Sequence, residues 1–211
     1  MLDWIFAHSQ FINSAINLAM LLVWIGYLQI FISSYQRQTR SKIMITRSGV
    51  DNLQSRCLVC NMSSEAIYLL SLMIELETED ERKSYPITEI EGFEKWEKPS
   101  DIDLWTRQGP LDAGKVRDMG SFEEMIIHAL GYASDEEAPD EKDWPAIDRV
   151  EVKVIASYGS ENLPVGAGRR FDVQQTDRGL VLRPHAAEAR QIRSRRERKE
   201  LRTLLEDMRA S

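Results

Sequence analysis

The spacing of apolar and polar positions changes character near residue 40. From Phe11 to Ser33 no charged residue occurs in 23 positions, and a helix rising ~1.5 Å per residue crosses a ~30 Å hydrocarbon layer over that length. Beyond Lys42 the pattern alternates instead. SKIMITR, SRCLVCNMS and EAIYLLSLMIELET, each closed by Gly, Asn, Ser or acidic turns, read as strands. Ile43 and Ile45 share a face of the first, Cys57 and Val59 oppose Leu58 and Cys60 in the second, and the nearly unbroken apolar run of the third predicts burial on both sides. DIDLWTR, KVRDMG, RVEVKVIASYG, RRFDVQQ and GLVLRP continue the series, with PVGAGRR as a hairpin turn. One helix interrupts it. Ser121 and Glu124 make a capping box, and Phe122, Met125, Ile126 and Leu130 recur at helical spacing before Gly131, predicting a cover over an open end or edge. Short strands without interleaved helices indicate a mainly β fold with helices: an N-terminal transmembrane helix, an antiparallel immunoglobulin-like β-sandwich and a C-terminal charged helix.

The expected divisions are an N-terminal segment over 1–10, a span over 11–33, a basic juxtamembrane linker over 34–42, a β-sandwich over 43–185 and a charged helix over 186–211. The helix expectation rests on strong helix formers from Ala186 to Met208 with no Gly or Pro. Cations follow the span rather than precede it. Residues 1–10 hold Asp3 and no Lys or Arg, whereas Arg37, Arg40, Lys42 and Arg47 come after. A cleavable signal peptide has the reverse order; the positive-inside bias predicts the N-terminus outside and the larger part in the cytoplasm. Trp4 and Tyr35 suit the two interfaces.

On a helical wheel Gln10, Asn13, Asn17, Met20, Trp24, Tyr27 and Phe31 form one stripe. Almost opposite lie Ala15, Ala19, Gly26 and Ser33, small enough for a second helix to approach. An unpaired amide in hydrocarbon costs several kcal/mol, so Asn13 and Asn17 bond across a bundle of identical helices or line a wet vestibule. The alternative is a plain anchor with Asn13 among the headgroups.

The formal net charge is −7 and argues against general nucleic-acid affinity, but it conceals an asymmetry. Glu75 to Asp143 holds 21 acidic and 8 basic residues, and Arg190 to Arg202 holds seven basic and two acidic. The two blocks are of opposite sign and attract. The cations, Arg193, Arg196 and Lys199 among them, meet anionic lipid, an acidic surface of a neighbouring subunit, or only solvent with Glu197 and Glu200 as intrahelical partners. No aromatic residue interleaves them for base stacking.

Candidate chemistry is sparse. Cys57 and Cys60 form a C-x-x-C spacing, but no helix N-terminus lowers a thiol pKa there and no further zinc ligands accompany them, so two reduced thiols are expected. SDEEAPDEKDWP lacks EF-hand spacing and reads as a solvated loop. PVGAGRR lacks the third glycine of a dinucleotide cradle, His8, His128 and His185 are scattered, and no G-x-S-x-G elbow occurs. No catalytic residue, metal ligand or cofactor site is expected, and the chain does not read as an enzyme.

SRCLVCNMSSEAIYL, VIASYGSENLPVGAGRRFDV and LRPHAAEARQIRSRRERKEL together resemble a group of bacterial single-span membrane proteins with a cytoplasmic β-sandwich. The order of span, R-Q-x-x-R-S-K and strand is also similar in architecture to the inner helix and cytoplasmic domain of inward-rectifier potassium channels, without their TVGYG filter, pore helix or second span. These features together imply a homo-oligomeric scaffold or regulatory binding module at the inner (cytoplasmic) membrane, with lipid and a cytoplasmic protein as partners. The rival reading is an ion path formed by several copies of the span.

Overall fold

A computed structural model describes residues 9–38, 40–79, 81–87, 106–134, 144–159, 161–177 and 179–210. The N-terminal segment with Asp3, Trp4 and His8, most of the expected strand DIDLWTR and most of the acidic loop lie outside the described residues. The elements in chain order are α1 (Ser9–Gln38), β1 (Ile43–Ser48), β2 (Arg56–Asn61), β3 (Ile67–Thr78), β4 (Arg82–Pro86), β5 (Gly109–Leu111), β6 (Val116–Ser121), α2 (Phe122–Ser134), β7 (Ile147–Tyr158), β8 (Val165–Thr176), β9 (Gly179–Pro184), β10 (Arg190–Ile192) and α3 (Arg195–Ala210). The chain divides into two units, Met1–Arg40 and Ser41–Ser211.

In the first unit α1 is one unbroken helix, of which Gln10–Tyr35 has a mean hydropathy of 2.0 and is long and apolar enough to cross a membrane. It continues to Gln38, so the first part of the expected 34–42 linker is helical. No Gly or Pro interrupts SSYQRQ, and the turn already formed propagates through it.

The second unit is mainly β, with two antiparallel sheets of unequal width. The smaller runs β1-β2-β6. The larger runs β10-β8-β7-β3-β4, with β5 also on β3 and β9 also on β8. Its centre is the pairing of β3 with β7, each twelve residues long, in register from Ile67 opposite Tyr158 to Glu77 opposite Arg149, with a bulge at Leu69/Ser71. Leu72, Ile74 and Leu76 of β3, Val150, Val152 and Val154 of β7, and Ala167 and Phe171 of β8 face the main core. Ile43, Ile45, Cys57 and Val59 meet them from the smaller sheet.

Three strands cannot cover the wider sheet, and α2 fills the rest. Phe122, Met125, Ile126 and Ala129 are fully buried in the same core, and Phe122 packs edge-on to Phe171 at 4.8 Å between ring centres. Its start is the expected capping box: Glu124 N donates to Ser121 Oγ at 3.1 Å, and Ser121 N donates to Glu124 Oε2 at 3.0 Å.

Two expectations are corrected. Residues 186–194 are not helical; β10 pairs with β8 there, Gln191 opposite Ala167, and the helix begins at Arg195. Tertiary pairing overrides the local helix preference of Ala, Arg and Gln, and Ser194 sets the start, since Glu197 N donates to Ser194 Oγ at 3.2 Å. The stretch Val165–Arg170 is strand, not hairpin turn, because Gly166 and Gly168 adopt no positive φ. They are glycines for space. A Cβ on Gly166 would lie 2.9 Å from Leu201 Cδ1 and from the Val154 carbonyl oxygen, and one on Gly168 would lie 2.7 Å from Glu151 Oε1.

The outer face of the larger sheet is thereby covered in part. Met73, Ile155, Ile192 and Leu201 form a second small core, joined by Leu204, Leu205 and Met208 along one side of α3. Burial on both faces of β3, expected from its unbroken apolar run, follows from this second cover.

Candidate functional site

In α1 the side chains of Leu18, Leu21, Leu22, Val23, Ile30 and Phe31 are more than half exposed, Val23 at 71%. Water does not accommodate so large a contiguous apolar surface; lipid or another apolar helix does. Asn13 and Asn17 are exposed and their amides bond to no other described residue. Trp24, 65% exposed, and Tyr27 stand edge to face, 6.3 Å between ring centres, on the stripe that the wheel places below the asparagines. Ala15 and Ala19 are exposed as well. Nothing lies within 4 Å of a Cβ built on Gly26, which lines a shallow groove with Gln29, Ile30 and Ser33.

The second unit begins at a firmly held point. Lys42 N donates to Ser63 Oγ at 2.9 Å, and Met62 N donates to the Lys42 carbonyl at 2.8 Å. Ile43 is gripped from the other end of the chain: its N–H donates to Gln191 Oε1 at 3.0 Å, and Gln191 Nε2 donates to its carbonyl at 2.6 Å. A side-chain amide thus supplies the two bonds that a neighbouring strand would make to the edge of β1. Arg169 Nη1 extends the cover by donating to Ile45 O at 2.5 Å, while its guanidinium lies 5.6 Å from the Phe171 ring centre. Burial lowers the pKa of Arg169 from its ordinary value.

On the outer face of the larger sheet, cross-strand register puts Glu75 of β3 opposite Glu151 of β7, both almost sealed from solvent at 6% and 3% exposure. Two buried carboxylates side by side require compensation. Glu151 accepts from Arg82 at 2.7 Å and Arg170 at 2.8 Å; Glu75 pairs with Arg82 and Lys153. Burial lowers the pKa of Lys153, against the raising effect of Glu151. The next rung continues the alternation, with Arg149 between Glu77 and Asp172, and His185 Nδ1 3.0 Å from Asp172. Each of these groups is matched, so the ladder ties the sheet together.

The cations of the C-terminal region sort into two sets. Arg190, Arg196, Arg198 and Arg202 each face a carboxylate, from Glu197, Glu200, Glu161 and Glu206 respectively. Arg198 also donates to the Pro164 and Leu163 carbonyls and fastens α3 to the β7–β8 connection. Arg193, Arg195 and Lys199 are exposed and make no ion pair among the described residues. No ion pair among the described residues joins the 190–202 block to the acidic 75–143 block; each finds its partners elsewhere. Of the cations that follow the apolar run, Arg37 falls in the last turn of α1, Arg40 is exposed, and Lys42 is exposed beside the gripped Ile43.

Cys57 and Cys60 are free, buried thiols on β2. Burial pushes the Cys57 thiol up to about 12, the opposite of an activated nucleophile. Among the described residues no three of His, Cys, Asp and Glu gather closely enough to hold a metal ion.

The Gln191 and Arg169 contacts carry no local sequence signal, because each joins positions more than 100 residues apart. The start of α3 did carry one: Ser194-Arg-Arg-Glu197 is a capping box within the basic run. Comparison with protein-family models, curated proteins and solved structures gives no match.

Proposed function

We propose that the chain is a single-span, homo-oligomeric scaffold or regulatory binding module, with its β unit on the cytoplasmic side of an inner (cytoplasmic) membrane. The observation that carries this reading is α1: 26 residues from Gln10 to Tyr35 without a charge, their large apolar side chains exposed, in a chain whose β unit closes a core of its own. Cations after the span support a cytoplasmic β unit through the positive-inside bias. The open space over Gly26, between Ala19 and Ser33 on one side of the helix, suits close approach of a second copy. The matched ladder of charges and the buried, neutral thiol favour a binding role for the β unit over catalysis.

The test is fractionation and mass. Full-length protein is expected to resist alkaline extraction from membranes, to need detergent for release, and to have a detergent-corrected mass of more than one chain. Gly26→Leu is expected to lower that mass. Recovery of the intact chain as a soluble monomer without detergent overturns the membrane reading, and an unchanged mass in Gly26→Leu removes the small-residue face from it.

A further inference from the structure

We infer that Lys42, Arg193, Arg195 and Lys199 form one binding rim for anionic phospholipid headgroups, assembled from the two ends of the β unit. In sequence these cations are some 150 positions apart. The fold joins them through a single side chain, since Gln191 bonds both backbone groups of Ile43. Lys42 is the residue before that grip, and Arg193 lies two residues beyond its other half. Arg195 opens α3 and Lys199 follows one turn later, so both project from one side of the helix. The opposite side is occupied by Leu201, Leu205 and Met208 against the sheet.

Charge pairing separates Arg193, Arg195 and Lys199 from the other cations of the C-terminal region. Arg190, Arg196, Arg198 and Arg202 already have carboxylate partners within the β unit. Lys42, Arg193, Arg195 and Lys199 have no ion-pair partner among the described residues and are exposed. Four exposed cations without a carboxylate of their own are open to an anion from outside the β unit.

The inference rests on the membrane reading above, which says which anion is within reach. From Tyr35, where the apolar run ends, helix continues to Gln38, and five further residues reach Ile43. At ~1.5 Å per helical and ~3.5 Å per extended residue this tether spans at most roughly 20 Å. Headgroups account for ~5–8 Å of that and the Debye length for ~8 Å more. Lys42 is therefore held close to the lipid field whatever path the tether takes. Each cation brought near an anionic surface strengthens association about five-fold.

The experiment uses full-length protein in a nonionic detergent, titrated with phosphatidylglycerol or phosphatidylcholine, with the lipid retained per chain counted by native mass spectrometry. Wild type is expected to prefer phosphatidylglycerol, and the variant carrying Lys42→Gln, Arg193→Gln, Arg195→Gln and Lys199→Gln to lose at least about ten-fold of that preference. Arg196→Gln with Arg202→Gln, whose cations are already paired, is expected to change it less than about two-fold. All six side chains are exposed, and an unchanged thermal melt verifies that the variants fold. Equal retention of the two lipids by wild type overturns the inference, as does an undiminished preference in the fourfold variant or displacement of the lipid by millimolar inorganic phosphate. A chain that needs detergent yet shows no lipid preference leaves the membrane reading standing. A chain recovered without detergent removes that reading first.

Discussion

Cys57 shows how one buried side chain sets a dependence on pH. Its thiol is ordinarily half-ionised near 9.0, and burial in the core pushes that to about 12. The folded state holds the proton more tightly than the unfolded state, so this contribution to stability is fully present below pH 9.0 and is lost as pH rises toward 12. The loss is at most ~1.4 kcal/mol per pH unit. Urea midpoints measured from pH 8 to 11 are expected to fall more steeply for wild type than for Cys57→Ala; parallel slopes would remove the thiol from the account. Gly166 makes a steric case at the same scale. Gly166→Val puts a side chain where Leu201 Cδ1 and the Val154 carbonyl lie 2.9 Å from the Cβ position. The expected cost is about 1–3 kcal/mol, read as a lower melting temperature and faster tryptic release of α3. The C-x-x-C and G-x-G pairs were visible in the sequence as motifs of chemistry; here they supply packing, because what fixes their role is the neighbour across the sheet and not the residue alongside in the chain.

At the scale of elements, the edge of β1 depends on Gln191. Gln191→Leu leaves the N–H and carbonyl of Ile43 without their partners, at a cost of about 1–3 kcal/mol for stranded backbone groups. Hydrogen exchange at the Ile43 amide is expected to accelerate by one to two orders of magnitude, roughly the factor that this cost implies; unchanged exchange would show that water replaces the glutamine. Elements with a local periodic signal were legible: the apolar run of α1, the capping box and buried face of α2, and the alternation of β1, β2, β7 and β9. β10 was not. AARQIR has helix-forming composition, and its extended form comes from pairing with Gly166–Gly168, a contact that propensity does not contain. The box at Ser194 and Glu197 marked the true start of α3, but the helix formers on either side of it masked that signal.

For the molecule as a whole, strand number and turn spacing carried the class, mainly β with antiparallel sheets and flanking helices, without carrying the connectivity. The three-and-seven division of the sheets follows from three twelve-residue strands: β7 lies between β3 and β8, and each of those two is long enough to pair with two shorter strands as well, β4 and β5 on β3, β9 and β10 on β8. The candidate site was legible only in halves. Lys42 belongs to the linker and Arg193 to the C-terminal region, and the grip of Gln191 on Ile43 that links the two segments shows only in the folded chain.

The bond between Ile43 and Gln191 spans 148 positions, and this has a consequence for biosynthesis. Once made, β1 waits for a segment 148 positions further on before its outer edge is sealed. A nascent chain stopped short of residue 191 therefore carries a bare β edge, open to pairing with its neighbours. Loss of the segment that carries Gln191 is in this sense an injury to β1 as much as to β10.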